Sequence, residues 1–188
     1  MKYFAVPIII ITIATLLDSG CKGDGGSSIE LEPEFEWNGD AFAIRNGMPW
    51  NAKCSTVRSS SYPGKFGLLF MLLDGKGLDR NGISFRHLPY KTGKYYPLQL
   101  EYDGTQADSV LTCSCTTTID GDLVGDVYII LKDSAAVITI DSIDGVGNIS
   151  GTFSGTFVRM LIFDKPLDTA SPDTFVFSDG KYRARVVN

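Results

Sequence analysis

The residues of this 188-residue chain with the sharpest chemistry are four cysteines and one histidine, and their spacing decides what that chemistry is. Cys113 and Cys115 stand two apart in "SVLTCSCTTT", Cys54 follows "MPWNAK", and Cys21 stands alone in "LLDSGCKGDGGSS". A structural zinc site draws on paired Cys or His ligands at short spacing. Three thiols and the distant His87 do not supply that, so no metal site is expected. Period-two alternation places Leu111, Cys113 and Cys115 on one strand face, and Trp50, Ala52 and Cys54 on another. Their apolar neighbours direct all three thiols to a core. In an oxidising compartment the expectation is one bridge, from Cys54 to Cys113 or Cys115. The competing reading is three buried thiols that pack as small hydrophobes.

Other reactive patterns are weaker still. A serine hydrolase of the nucleophile-elbow type needs Gly-x-Ser-x-Gly before a helix. "GTFSG" has the wrong spacing, and "SDGK" (Ser178 to Lys181) belongs to an Asp-Gly turn rather than a helix start. His87, in "SFRHLPY", has no recognisable triad partner. "DGDLVGD", Asp120 to Asp126, clusters carboxylates without the ligand spacing and distal Glu of a calcium loop. Nothing singles out a carboxylate pair for glycoside hydrolysis, whose separation is a spatial quantity. No catalytic residue and no cofactor-binding residue is assigned.

The segment before Cys21 has a different character. Lys2 leads an apolar run, "FAVPIIIITIATLL", which is shorter than the roughly 20 residues that span a bilayer. A single cation, a short apolar run and then small residues describe a secretory signal. "SGC" resembles the end of a bacterial lipoprotein signal, with Asp18 where the usual pattern has Leu. The resemblance implies a signal peptide over 1–20, and Cys21 as an acylated N-terminus carrying palmitate-type chains. "KGDGGSSIELEPE" then has too little apolar surface to fold and reads as a tether. Residues 21–34 are therefore anchor and tether, and 35–188 a single domain. The partner implied is a membrane, reached through the lipid on Cys21, at the periplasmic or surface-exposed face of an outer membrane.

Charge excludes one class of partner. Loss of 1–20 removes Lys2 and Asp18 together, so the net charge of −5 is kept. A nucleic-acid binder would present a basic face to phosphates.

The elements that must position these residues are strands. "AFAIRNGMPWNAKCSTV" is two short strands about Asn46-Gly47, a strong hairpin signal. "KFGLLFMLLD" is a buried strand. "GKYYPLQLEYD" is an edge or a strand broken at Pro97. Asp-Gly pairs at Asp74, Asp103, Asp120, Asp144 and Asp179 each close a strand-like run as turns. In "NISGTFSGTF", Ile149, Gly151, Phe153, Gly155 and Phe157 share one face, with rings lying over close backbone. About ten strands with short turns predict an all-β domain, an antiparallel β-sandwich or β-barrel.

"AFAIRNGMPWNA", "TGKYYPL", "DVYIILKDSAAVITIDSIDGVGNISGTFSGTF" and "DGKYRARV" together resemble an uncharacterised family of Bacteroidetes-type lipoproteins, a domain of unknown function. The resemblance implies an all-β fold and a lipid anchor, with no activity attached. "DSV", "DSA", "DSI" and "DTA", at Ser109, Ser134, Ser142 and Thr169, resemble an Asp-Ser/Thr-apolar O-glycosylation acceptor of such envelope proteins. Thr169, in the polar loop "KPLDTASPD", is the accessible one.

Two binding features remain. In "GKYRARVV", Tyr182, Ala184 and Val186 face inward, while Lys181, Arg183 and Arg185 form a basic stripe. That stripe reads as the charged guard of an edge strand, or as a contact for an anionic glycan or a membrane surface. Tyr62, Tyr90, Tyr95 and Tyr96 either stack on sugars or cap the core. The expected role is a lipid-anchored, non-catalytic envelope binding protein for a glycan or an envelope protein. The alternatives are a hydrolase of envelope or dietary glycans, and a structural subunit of a surface assembly.

Overall fold

The computed structural model describes residues 37–99, 109–119, 123–130, 136–160 and 165–187. Twelve strands occur among them. They are β1 (Gly39–Arg45), β2 (Met48–Arg58), β3 (Lys65–Leu73), β4 (Asp79–Pro89), β5 (Gly93–Tyr95) and β6 (Leu98–Gln99). The others are β7 (Thr112–Ile119), β8 (Leu123–Ile130), β9 (Val137–Ile140), β10 (Ser142–Ile143), β11 (Asn148–Met160) and β12 (Thr174–Arg185). All belong to one compact unit, Phe35–Asn188.

The first hairpin is dictated locally. Asn46 and Gly47 both have positive φ, 48° and 79°, the geometry of the tight turn whose twist matches antiparallel strands. The Asn46 side chain then ties this turn to β12: its Nδ2 donates to Thr174 O at 2.8 Å, and its Oδ1 accepts from Val176 N at 2.6 Å. "DGKGL" and "DGVGN" fold alike. In each, the Asp Oδ1 accepts backbone N–H groups two and four residues on, at 2.7 and 3.0 Å for Asp74 and at 3.0 and 2.8 Å for Asp144. Gly77 and Gly147 supply the left-handed residue, with φ of 81° and 90°. Asp103 and Asp120 lie outside the described residues.

Eight strands close into an antiparallel barrel in the order β1-β2-β3-β4-β7-β8-β11-β12, with β12 returning to β1. β9 pairs with the first half of β11 and carries β5 on its far side, β10 also lies along β11, and β6 joins β7 in parallel. The break between β5 and β6 falls at Tyr96 and Pro97, as the proline predicts.

Alternation fills the interior with rings. Trp50, Phe70, Phe153, Phe157 and Phe177 are all under 5 % exposed, and each touches another of the set, with centroids 4.7–6.5 Å apart. Burying each such side chain contributes roughly 1.5–3 kcal/mol. The polar tips of the interior rings have partners, Trp50 Nε1 to Asn81 Oδ1 at 2.9 Å and Tyr182 OH to Thr139 O at 2.7 Å. An eight-stranded barrel is just wide enough for side chains to fill, and here they do. The pattern of rings inside and charges outside inverts that of a membrane-spanning barrel, whose apolar band faces outward.

Three expectations are corrected. Asp179-Gly180 is not a turn. β12 runs through it with a bulge, seen as one extra residue opposite both β1 and β11. Asp179 has φ 53°, and residues 178 and 179 both face outward, which returns Gly180 and Tyr182 to the interior after Phe177. β12 is not an edge strand either, since β1 and β11 flank it on both sides. Finally, Cys54, Cys113 and Cys115 are all free and buried, with no bridge from Cys54 to Cys113 or Cys115. Cys54 lies opposite Phe70, Phe70 opposite Ile83, and Ile83 opposite Cys115. Three strand spacings of about 4.8 Å separate the thiols, whereas a disulfide holds its Cα atoms within about 7 Å.

Candidate functional site

The interior offers little to solvent chemistry. Burial pushes the Cys115 thiol up to about 12, against the opposing pull of the Arg45 guanidinium, and raises Cys54 and Cys113 too. A thiol so seldom ionised is a poor nucleophile and a poor metal ligand. Among the described residues no cluster of His, Cys, Asp and Glu fits a metal ion.

One end of the barrel is closed by charge. Asp126 and Arg159 point inward from β8 and β11 with 5 % and 3 % of their side chains exposed, and Nη1 lies 3.5 Å from Oδ2. The segment 165–173 covers them. Asp126 accepts Leu167 N at 2.8 Å and Asp168 N at 3.1 Å, while Arg159 donates to Ser171 O and to Pro172 O. Tyr128 OH also reaches Pro172 O, at 2.9 Å. Asp126, read with its neighbours as a carboxylate cluster, is thus a latch for a loop. Asp120 lies outside the described residues. Thr169 is exposed on the same latched segment. Ser142 is exposed and shares a hydrogen bond with Ser150, and Ser134 lies outside the described residues.

His87 sits half-buried on β4, at φ 61° beside a register shift, with its ring edge-on to Tyr62 at 4.9 Å. Tyr90 and Tyr95 pack against the core, as capping residues do, and Tyr96 is exposed. Neither His87 nor any of the four tyrosines lines the open cleft on the outer wall.

That cleft, of about 890 Å³, lies open on the outer wall where β2, β1, β12 and β11 run side by side. Its size is that of a ligand site. Two rows of outward residues cross it. In the first, Lys53, Asp40, Arg183, Ser150 and Ser142 are successive partners from β2 to β10. In the second, Asn51, Phe42, Lys181 and Thr152 run from β2 to β11. The β3–β4 turn, with Leu73, Asp74 and Gly77, contributes one margin, and Asp141 another.

Three carboxylates line this cleft, which is the feature a hydrolase would need. Two are already engaged. Asp40 holds Lys53 at 2.6 Å. Asp74 is kept at about 2 by the Leu78 backbone N–H, then by Arg80 and by the Lys76 N–H. A carboxyl held ionised in this way cannot serve as the general acid of glycoside hydrolysis, which must stay protonated near neutrality. By contrast, Lys181 and Arg183 form no ion pair among the described residues, whose ion pairs involve Lys53, Arg80 and Arg159. Of the basic stripe predicted from alternation, Lys181 and Arg183 therefore face solvent over this cleft, whereas Arg185 lines a separate recess beside Arg58 and Tyr90. Alternation did not reveal Phe42, Asn51 and Thr152 as its companions, because strand neighbours distant in sequence carry no local signal.

The fold defines the class of protein: a closed antiparallel eight-stranded β-barrel with a ring-filled interior and its recessed surface on the outer wall. Comparisons with family models, with curated proteins and with solved structures return no match for the chain.

Proposed function

We propose that this chain is a lipid-anchored lipoprotein of the cell envelope, in which acylated Cys21 and a short tether display a non-catalytic binding barrel. The observation that carries the binding reading is Lys181 and Arg183, without an ion pair among the described residues, above an open cleft on a barrel whose interior is already filled. Support for the anchor is the short apolar run, the "SGC" site and the Gly/Ser/acidic stretch that follows it. An outer-membrane location, with the periplasmic or surface-exposed face undivided, belongs to the same proposal, as does likeness to Bacteroidetes-type lipoproteins. Against a hydrolase stands the engagement of Asp40 and Asp74. Against a strand-donating assembly subunit stands closure of the eight strands, which removes the long edges such a subunit would offer.

The anchor is tested by growing producing cells with radioactive palmitate. Label is expected on the wild-type chain and not on Cys21→Ser, which should also migrate as a longer precursor. Equal labelling of the two would refute the anchor.

A further inference from the structure

We infer that the cleft over β2, β1, β12 and β11 binds an acidic glycan, an inference that rests on the binding-module reading above and names its ligand. The chain as a whole carries −5. Yet at the cleft Lys53 engages Asp40 and Arg80 engages Asp74, each at 2.6 Å, so Lys181 and Arg183 are the cations without an ion pair among the described residues, with Asp141 on the margin and Asp144 and Asp179 in the adjoining recesses. Two such cationic heads, and no extended basic field, stand over the cleft. That suits a ligand with isolated acid groups. A nucleic acid, with a phosphate on every residue, would need several cations to itself.

The arrangement of groups sharpens the class. Arg183 and Lys181 stand two apart on β12, so they project from points about 7 Å apart on one face. Arg183 presents a planar fork of donors that matches a carboxylate or sulfate with two parallel hydrogen bonds. Next to the two cations lie paired hydroxyls. Ser150 and Ser142 share a hydrogen bond of 2.8 Å, and Thr152 and Thr139 one of 2.9 Å. Each hydroxyl has one donor and two acceptor positions, so every such pair keeps capacity for a ligand hydroxyl. On the other side of Lys181 stands Phe42, an aromatic ring 41 % exposed on an otherwise polar wall. An exposed ring between an amide, Asn51, and a cation, Lys181, is a platform for the apolar face of a sugar. Asp141 adds an acceptor for sugar hydroxyls. Cation fork, hydroxyl ladder, ring and acceptor together are what a carboxylated or sulfated sugar unit demands, and a fatty or purely apolar ligand would satisfy none of the polar groups.

The test uses the full-length chain purified in detergent and four probes: oligogalacturonate, its methyl ester, chondroitin sulfate oligosaccharides, and phosphatidylglycerol vesicles, read by isothermal titration calorimetry. At least one of the two acidic glycans is expected to bind. For it, Arg183→Gln and Lys181→Gln should each weaken binding about tenfold, and Phe42→Ser several-fold, with melting temperatures within a few degrees of wild type. The neutral ester should bind at least tenfold more weakly than oligogalacturonate if that is the acidic glycan bound. Equal binding of acid and ester, binding indifferent to Arg183 and Lys181, binding to vesicles alone, or no binding of either acidic glycan would each overturn the inference. Palmitate labelling is independent of these titrations, so a failed ligand and a failed anchor give different results.

Discussion

Arg159 and Asp126 face each other across β11 and β8 inside the barrel, 3.5 Å apart, and between them hold the backbone of four loop residues. The pair is buried, so removing one partner leaves the other charge without compensation. Asp126→Ala is expected to cost roughly 3–5 kcal/mol, while the apolar double replacement Asp126→Leu with Arg159→Met should recover much of that loss. Urea denaturation of the three proteins checks this. A single variant within about 1 kcal/mol of wild type would mean that the loop, not the pair, closes this end.

The bulge in β12 makes a separate prediction. A Cβ on Gly180 would fall onto the Phe153 carbonyl oxygen and within 2.7–2.8 Å of the Phe153 ring. Gly180→Ala should therefore destabilise by roughly 1–3 kcal/mol, the cost of overpacking a filled core. Asp179→Gly should be neutral or stabilising, because φ 53° suits glycine better than aspartate. Chemical denaturation should show a loss for Gly180→Ala and none for Asp179→Gly. Equal losses at both positions would argue against a bulge at this point.

Those two residues also show where sequence stops being legible. Asn46-Gly47 and the two Asp-Gly-x-Gly turns could be read directly, because positive φ and a side chain bonding its own backbone are local requirements. Asp179-Gly180 carries the same letters but stands between two long partners, and only their pairing turns it from a turn into a bulge. Barrel closure is equally silent, since β1 meets β12 from the opposite end of the domain. The basic stripe and the inward thiols followed from period-two alternation. The cleft did not, because Phe42, Lys181 and Thr152 become neighbours only through register.

The row Cys54, Phe70, Ile83, Cys115 predicts thiol behaviour. In the folded protein at pH 8, Ellman's reagent should find Cys54, Cys113 and Cys115 unreactive, since burial raises all three above their ordinary range. After denaturation without reductant all three should react at once. Addition of dithiothreitol should leave the melting temperature unchanged. A reductant-dependent loss of stability would reveal a bridge and contradict the strand spacing.

Asp74 governs a pH window and bears on the chemistry of the cleft. Its carboxyl is held at about 2 in the folded state against 3.8 ordinarily, first by the Leu78 N–H, then by Arg80 and the Lys76 N–H. A lowered folded-state value means the unfolded chain binds the proton more readily. The stabilisation is therefore complete above about pH 4 and disappears as pH falls through about 2. Asp74→Asn should melt below wild type at pH 7, and the gap should narrow steadily between pH 4 and pH 2. Asp144, lowered chiefly by the Asn148 side chain in the matching turn, should behave with the same sign. A gap at pH 2 as wide as at pH 7 would show that Asp74 works through packing and not through its charge. A gap that narrows as expected leaves Asp74 ionised at neutral pH, and so unable to act as the general acid of glycoside cleavage in this cleft.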